Sequence, residues 1–337
     1  MDGWIIIDKP VGRGSTQVVS VVKRALRQGG YGKCKVGHGG TLDPLASGVL
    51  PIAIGEATKL SGRMLDADKA YDFTIGFGLE TDTLDAEGRV VATSDARPAR
   101  EQVEAVLPRF TGLIEQTPPA FSALKVDGAR AYDLARAGED VALKPRLVTV
   151  HALALSSPER GGGPTEGWWR GSAAGDALAE APLHRSASGP PPHSGKELDA
   201  VTLSARVSKG TYIRSLARDI AHAVETVGHV TMLRRTKAGP FTLESAISLD
   251  KLEESAKGHA LEDILLPLTA GLDDIPALPV TPDQARALRE GRKLIGIAKH
   301  QGLHLAISGS VPVALVEVSG PEIRVVRGFN IAMSKDD

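Results

Sequence analysis

The sequence predicts an α+β fold followed by a small strand-rich unit. Three observations carry that expectation. Strand-like and helix-like segments interleave in no strict order, unlike the regular alternation of a repeating βαβ protein. A stretch of about 55 residues near the end holds one helix-like segment and three short strand candidates. The 337 residues, 42% of them apolar, exceed what one small core needs, which argues for two domains.

Along the chain, Trp4 to Asp8 reads as a short buried strand, and Lys9-Pro10-Val11-Gly12 as a turn. Ser15 is the expected N-cap of an amphipathic helix to about Arg27, with Val18, Val19, Val22, Ala25 and Leu26 on one face. Val49 to Ile54, Tyr71 to Phe77 and Val90 to Thr93 read as strands, and Arg100 to Phe110 as a helix. Residues 146–155 and 200–208 have strand composition, and Thr211 to Val224 reads as a helix. Between them, residues 157–197 are rich in Gly, Pro, Ser and Ala without periodicity, the composition of a disordered surface insertion. Trp168, Trp169 and Arg170 within it have the faces to stack on an unpaired base. The tail then offers a helix in TPDQARALREG and strands at His304–Ser308, Pro312–Val318 and Ile323–Arg327.

Cys34 is the only cysteine, which excludes internal disulfides and thiolate-rich zinc sites and fits a reducing, cytoplasmic setting. No apolar run approaches a signal-peptide core or a membrane span, so no membrane association is expected. The net charge of −1 conceals an uneven distribution. Residues 1–63 carry nine Lys/Arg against four Asp/Glu and residues 206–237 seven against two, whereas residues 64–118 carry five against eleven. If the two basic stretches meet, they make a positive surface for phosphates.

The densest signal is VGHGGTLDPLASGVLPIAIGEATKL, residues 36–60. Its glycines permit close backbone approach, and Asp43-Pro44 forces extended or turn geometry at the aspartate. Read alone, such an aspartate is a turn former. Neither GxxxxGK[ST] nor GxGxxG is present, the histidines lack metal-ligand spacing, and no GxSxG elbow occurs, so nucleotide hydrolysis, metal catalysis and serine hydrolysis have no support. A second signal is SKGTYIRSLARDI, residues 208–220, where a strand gives way to a helix at Tyr212 and Arg214. An Arg there is ordinarily a solvated surface group. The alternative is a bidentate pair with a buried carboxylate, which lysine cannot copy. Tyr71 in DKAYDFTIGFG and Asp85 in ETDTLDAEG are by themselves a strand aromatic and a hairpin-turn acid.

Together these segments resemble the TruB family of pseudouridine synthases. The resemblance rests on IIIDKPVG (5–12), GHGGTLDPLASGVLPIAIGEATK (37–59), DKAY (68–71), TDTLDAEG (81–88), PPAFSALKVDGARAYDLARAG (118–138) and SKGTYIRSLARDI (208–220). It implies a catalytic domain over residues 1–270 on a mixed, mainly antiparallel sheet, with a thumb-like RNA-binding insertion at 118–146. A PUA-like RNA-binding domain would occupy 276–331. The activity implied is isomerisation of uridine to pseudouridine at position 55 in the T-loop of tRNA, by base flipping.

Carried over residue by residue, the resemblance makes Asp43 the catalytic aspartate, His38 a residue that helps displace the base, Tyr71 the aromatic stacked on the flipped uracil and Arg214 the ion partner of the aspartate. Tyr212 and Leu233 would line the pocket, with Asp85 as a supporting polar group. No cofactor is expected, because nothing is oxidised or added. The expected partner is the T-arm of tRNA, bound by a monomer with no obligate protein partner. The loop reads Gly39-Gly40-Thr41 where members of the family often have a hydroxyl residue and other small residues, a difference read as neutral.

Overall fold

The computed structural model describes residues 1–122, 124–126, 129–137, 143–156, 197–296 and 300–331. The Gly/Pro-rich stretch with Trp168, Trp169 and Arg170 thus lies outside the described residues except for Glu197, and the segment 118–146 is described only in part. The chain divides into two compact units, one of Met1–Ala67 with Lys237–Asp337 and the other of Asp68–Thr236.

The first unit opens with β1 (Gly3–Lys9), whose Trp4 to Ile7 are at most 1% exposed, so this short apolar run is covered on both faces. Helix α1 (Ser15–Gln28) buries Val18, Val19, Val22, Ala25 and Leu26 on the expected stripe. Its N-cap is Gly14 rather than Ser15. The Gln17 side chain accepts from the Gly14 N–H (2.9 Å), which leaves the Ser15 hydroxyl for the loop described below. Strand β2 (Val36–His38) lies antiparallel on β3 (Ala46–Ile54), which also pairs with all of β1, from Gly3 opposite Ile54 to Lys9 opposite Gly48. Helix α2 (Ser61–Asp66) follows.

The second unit begins with β4 (Lys69–Phe77) and the hairpin of β5 (Leu79–Thr81) and β6 (Val90–Thr93). Helix α3 (Arg100–Val106) stops short of Phe110. Leu107 keeps helical backbone (φ −55°, ψ −37°), but Pro108 has no N–H to continue the α-helical ladder, and Leu107–Phe110 tightens into a 3₁₀ turn. Then come β7 (Gly112–Gln116), the two-residue strands β8 (Lys125–Val126) and β9 (Ala129–Arg130), α4 (Ala131–Arg136), β10 (Arg146–Leu155), β11 (Ala200–Val207), α5 (Ile213–Ala223) and β12 (Gly228–Ala238), whose last two residues count with the first unit. The strands run in the order β12, β4, β11, β10, β7. Side chains alternate across a strand, so Tyr71, Phe73, Ile75 and Phe77 share one face of β4. They pack with Ile213, Leu216, Ala217 and Ile220 of α5 in one core. This packing places the start of α5, and so Arg214, on the same sheet face as Tyr71.

The remainder of the first unit contains β13 (Phe241–Thr242), α6 (Leu249–Lys257), β14 (Leu266–Pro267) paired to β1, and then β15 (Ala277–Pro279), α7 (Pro282–Arg289), β16 (Leu294–Ile295), β17 (Gly302–Ser308), β18 (Val311–Ser319) and β19 (Glu322–Gly328). The last five strands form their own sheet in the order β15, β17, β18, β19, β16. Thr281 caps α7 reciprocally with Gln284: the Thr281 N–H donates to Oε1 at 2.8 Å, and the Gln284 N–H to Oγ1 at 3.3 Å. Leu278, Ala285, Leu288 and Val313 fill the core under this helix. Leu305, Leu315 and Phe329 point elsewhere and join Trp4, Ile6, Phe241 and Leu268 in one cluster, so the terminal sheet shares a core with the start of the chain. No helix among the described residues is long and apolar enough to cross a membrane.

Glu56 adds a polar tie within this unit. Its Oε2 accepts from Lys59 Nζ and from the Asn330 N–H, each at 2.7 Å, while Lys59 Nζ also donates to the Gly328 carbonyl at 2.9 Å. Burial works to raise the carboxyl's pKa, but the hydrogen bonds from Lys59 and Asn330, with the nearby Lys charges, together hold it below its ordinary value. A carboxyl depressed on folding adds stability that is fully present above its unfolded pKa, about 4.3, and is lost as pH falls through the lower folded value. Glu56→Gln is therefore expected to lower unfolding stability at pH 7 by about 1 kcal/mol. Urea titrations across pH should show the gap to the unaltered protein closing below about pH 4. A gap that persists in acid would show the charge to be irrelevant.

Candidate active site

The residues singled out in the sequence fall in both compact units: His38 and Asp43 in the first, and Tyr71, Asp85, Tyr212, Arg214 and Leu233 in the second. Each group has its own local architecture.

In the first unit the aspartate sits on a loop tied down on either side of it. The Ser15 hydroxyl donates to the Leu42 carbonyl at 3.0 Å and accepts from the Leu42 N–H at 2.8 Å, fixing the residue before Asp43. On the other side the Pro44 carbonyl accepts from the Gly12 N–H (2.8 Å) and from the ammonium of the fully buried Lys9 (3.3 Å). Lys9 also donates to the Arg13 carbonyl at 2.6 Å, which binds the Lys-Pro-Val-Gly turn to the loop. The Ala46 N–H closes the turn onto the Asp43 carbonyl at 3.1 Å. Asp43 itself remains half-buried, so a rigid backbone presents its carboxylate. Ser15 and Lys9 are thus supporting residues that a single sequence gives as a helix cap and a turn lysine.

His38 ends β2, opposite Ile52 of β3, and is half-buried. The next residue, Gly39, donates its N–H to the Pro51 carbonyl at 2.8 Å. A Cβ at Gly39 would lie 2.6 Å from Cβ of Met64, so the glycine is required by its neighbour. The Met64 side chain thus occupies the space that a side chain at position 39 would take.

In the second unit the structure brings Asp85 and Arg214 together. Arg214 Nη1 stands 3.3 Å from Asp85 Oδ2, with the two side chains 8% and 10% exposed. The same guanidinium donates from Nη1 to the Thr83 carbonyl at 2.8 Å and from Nη2 to the Phe121 carbonyl at 3.0 Å. Arg214 is therefore the buried, carboxylate-paired kind of arginine rather than a solvated one. Asp85 is held in turn by the Thr83 hydroxyl on Oδ1 (2.5 Å) and by the Glu87 N–H (3.1 Å). Between Thr83 and Asp85, Leu84 adopts a left-handed backbone, φ 61°, with its side chain 5% exposed. That conformation costs a non-glycine residue about 1–2 kcal/mol, and here it turns the Thr83 carbonyl and the Asp85 carboxylate toward one guanidinium. The sequence carries no signal for it, since Leu is not a residue expected at positive φ.

Tyr71 and Leu233 are both half-buried and lie against the same core that α5 covers. Tyr212 is the residue just before α5, its backbone held by Gln116 of β7 and its ring faced by the Arg146 guanidinium, 5.0 Å from the ring centroid. Neither Gln116 nor Arg146 was legible as a site residue.

The sequence model of the TruB family pseudouridylate synthase N-terminal domain matches residues 25–161, and that of the tRNA pseudouridylate synthase B C-terminal domain matches residues 214–273. A tRNA pseudouridine synthase B from Novosphingobium aromaticivorans is 59% identical over 98% of this chain and 98% of its own length. Another from Zymomonas mobilis is 55% identical over 98% and 96%. Among solved structures, the fold matches a chain of an H/ACA RNP bound to a substrate RNA containing 2′-deoxyuridine, with a TM-score of 0.66 at 22% identity over 98% of this chain and 85% of that one. A chain of a Cbf5-Nop10-Gar1 complex matches with a TM-score of 0.66 at 24% identity over 99% and 86%. At these identities the structural likeness concerns the fold.

Proposed function

The chain belongs to the TruB family of pseudouridylate synthases, and from that premise we propose that it isomerises uridine 55 in the T-loop of tRNA, with Asp43 as the carboxylate that starts the reaction. The observation that carries this reading is the anchored loop, fixed by Ser15 at Leu42 and by Gly12 and Lys9 at Pro44, with Asp43 half-exposed between them.

The reaction breaks the bond from C1′ to N1, turns the uracil, joins C1′ to C5, and moves the C5 proton off while N1 takes one up. Asp43 can begin it by attacking the sugar, by attacking the base, or by removing the 2′ proton. All three routes need the carboxylate ionised and aimed. In this reading Arg214 is the ion partner that holds the carboxylate's orientation. The target base leaves its stack at a cost of about a few kcal/mol. Stacking on the half-buried Tyr71, worth roughly 1–3 kcal/mol, offsets part of this. His38 assists displacement, and Tyr212 and Leu233 line the pocket.

The T-arm of tRNA is the partner this reading names. Residues 118–146 act as the RNA-gripping thumb, and residues 276–331 as a PUA-like RNA-binding domain of a cytoplasmic monomer. An unmodified tRNA transcript incubated with the protein and mapped at nucleotide resolution should carry pseudouridine at position 55 alone. A transcript with cytidine at that position should stay unmodified. Pseudouridine elsewhere, or none, would overturn the assignment.

A further inference from the structure

Helix α5 carries Arg214 in its first turn, yet the sequence gives that helix no cap of its own. The residue before it is Tyr212, with extended backbone (φ −100°, ψ 114°) and no side-chain hydrogen bond to the first turn. Ser, Thr, Asp or Asn would ordinarily fix a helix start from that position. Here the fixing comes from a residue 96 positions away. The Gln116 amide grips Tyr212 at both backbone groups: Oε1 accepts from the Tyr212 N–H at 2.8 Å, and Nε2 donates to the Tyr212 carbonyl at 3.1 Å. That carbonyl also takes the Leu216 N–H at 3.0 Å, the first turn of the helix. Gln116 is 1% exposed, so both bonds are made where no water replaces them.

The residue opposite Gln116 in the sheet completes the grip. Arg146 is its cross-strand partner at the end of the β7 and β10 ladder. Its guanidinium faces the Tyr212 ring, and its Nη2 donates to the carbonyl of Gly210. Gly210 takes φ +82°, which suits a glycine at the turn. Within the first turn of the helix, the Ser215 hydroxyl donates to the Thr117 carbonyl at 2.8 Å, and Arg214 itself reaches the Phe121 carbonyl. The segment leaving β7 is thereby stitched along the helix start.

We propose that Gln116 and Arg146 are positioning residues that set Tyr212 and, through it, the first turn carrying Arg214. Neither is assigned a part in breaking or making a bond: each acts on the helix start through Tyr212. The proposal rests on the assignment of Arg214 to catalysis, and its test has one readout that does not.

Hydrogen exchange followed by mass spectrometry on Gln116→Leu should show the peptide covering residues 208–216 exchanging about tenfold faster or more, because the Tyr212 N–H loses its acceptor and the helix start its anchor. Peptides from the terminal sheet should be unchanged. With tRNA, the same variant should lose about tenfold to a hundredfold in kcat, with KM altered by less than about threefold. Gln116→Glu separates positioning from bulk: its carboxylate can accept from Tyr212 N–H but cannot donate to the carbonyl, and protonation restores the donor. Its kcat relative to the unaltered protein should rise as pH falls. Arg146→Lys should give a smaller loss of the same kind. Unchanged exchange at residues 208–216, a flat pH ratio for the Glu variant, or full turnover by folded Gln116→Leu would each overturn the proposal. If the unaltered protein makes no pseudouridine, the function assignment fails, and the exchange experiment still decides the clamp.

Discussion

Asp43→Asn is expected to bind tRNA within about twofold of the unaltered protein and to lose isomerisation by about 10⁴-fold or more, the scale of removing a lone nucleophile or base. At about 1.4 kcal/mol per tenfold, that is at least 5–6 kcal/mol of transition-state stabilisation withdrawn from one side chain. The substitution keeps the shape and removes the charge. The loop's anchors, Ser15 on Leu42 and Lys9 and Gly12 on Pro44, all act on backbone atoms outside the Asp43 carboxylate. These anchors persist in the variant, and circular dichroism at the assay temperature checks that it is folded before a lost turnover is read as lost chemistry. Single-turnover assays with labelled tRNA, beside a filter-binding titration, separate the two quantities. An asparagine variant that still forms pseudouridine at a measurable rate would remove Asp43 from the chemistry and leave an RNA-binding protein with a rigid surface loop.

The parts of this molecule legible in the sequence are those whose signal is local. The four-residue apolar run of β1, the stripe on α1 and the Thr281 and Gln284 pair at α7 each announce themselves within a few residues, and the structure places them accordingly. Strand β12 did not, because Arg234, Arg235 and Lys237 interrupt its apolar alternation, and Arg235 nevertheless lies fully buried. The site divides in the same way. Asp43 stands out through Gly and Pro chemistry around it, and Arg214 and Asp85 through motifs. Ser15, Leu84 and Gln116 act through bonds spanning the fold or through a backbone angle, and neither leaves a mark in composition or period. Ser15 even carries a misleading local signal, since a serine at a helix start is ordinarily its cap. Gly39 shows the converse: the glycine is visible in the sequence, but what requires it, the Met64 side chain, is visible only in three dimensions.

For Arg214→Lys, the expectation is a loss of about 10²- to 10³-fold in turnover together with a stability loss of about 2–3 kcal/mol, larger than a conservative exchange of cations suggests. The guanidinium reaches, among its partners, Asp85 Oδ2 and the Thr83 carbonyl from Nη1 and the Phe121 carbonyl from Nη2. A lysine ammonium is a single point of charge on a stem without a fork. If it stays with Asp85 and Thr83, the Phe121 carbonyl loses this bond; if it moves toward Phe121, a carboxylate that is 10% exposed loses its ion pair. Each buried orphan costs about 1–3 kcal/mol. The Asp85 charge is the dearer one to strand, because removing one member of a buried pair costs about 3–5 kcal/mol. The lysine should therefore favour Asp85 and release Phe121, loosening the segment that leaves β7. Arg214→Met, which strands Asp85 outright, should be less stable than the lysine variant, and Asp85→Asn combined with Arg214→Met should recover part of the difference. Turnover must be compared at a temperature where circular dichroism shows each variant folded. Near-normal turnover by folded Arg214→Lys would mean that the charge alone suffices, and that the planar fork serves stability and not the reaction.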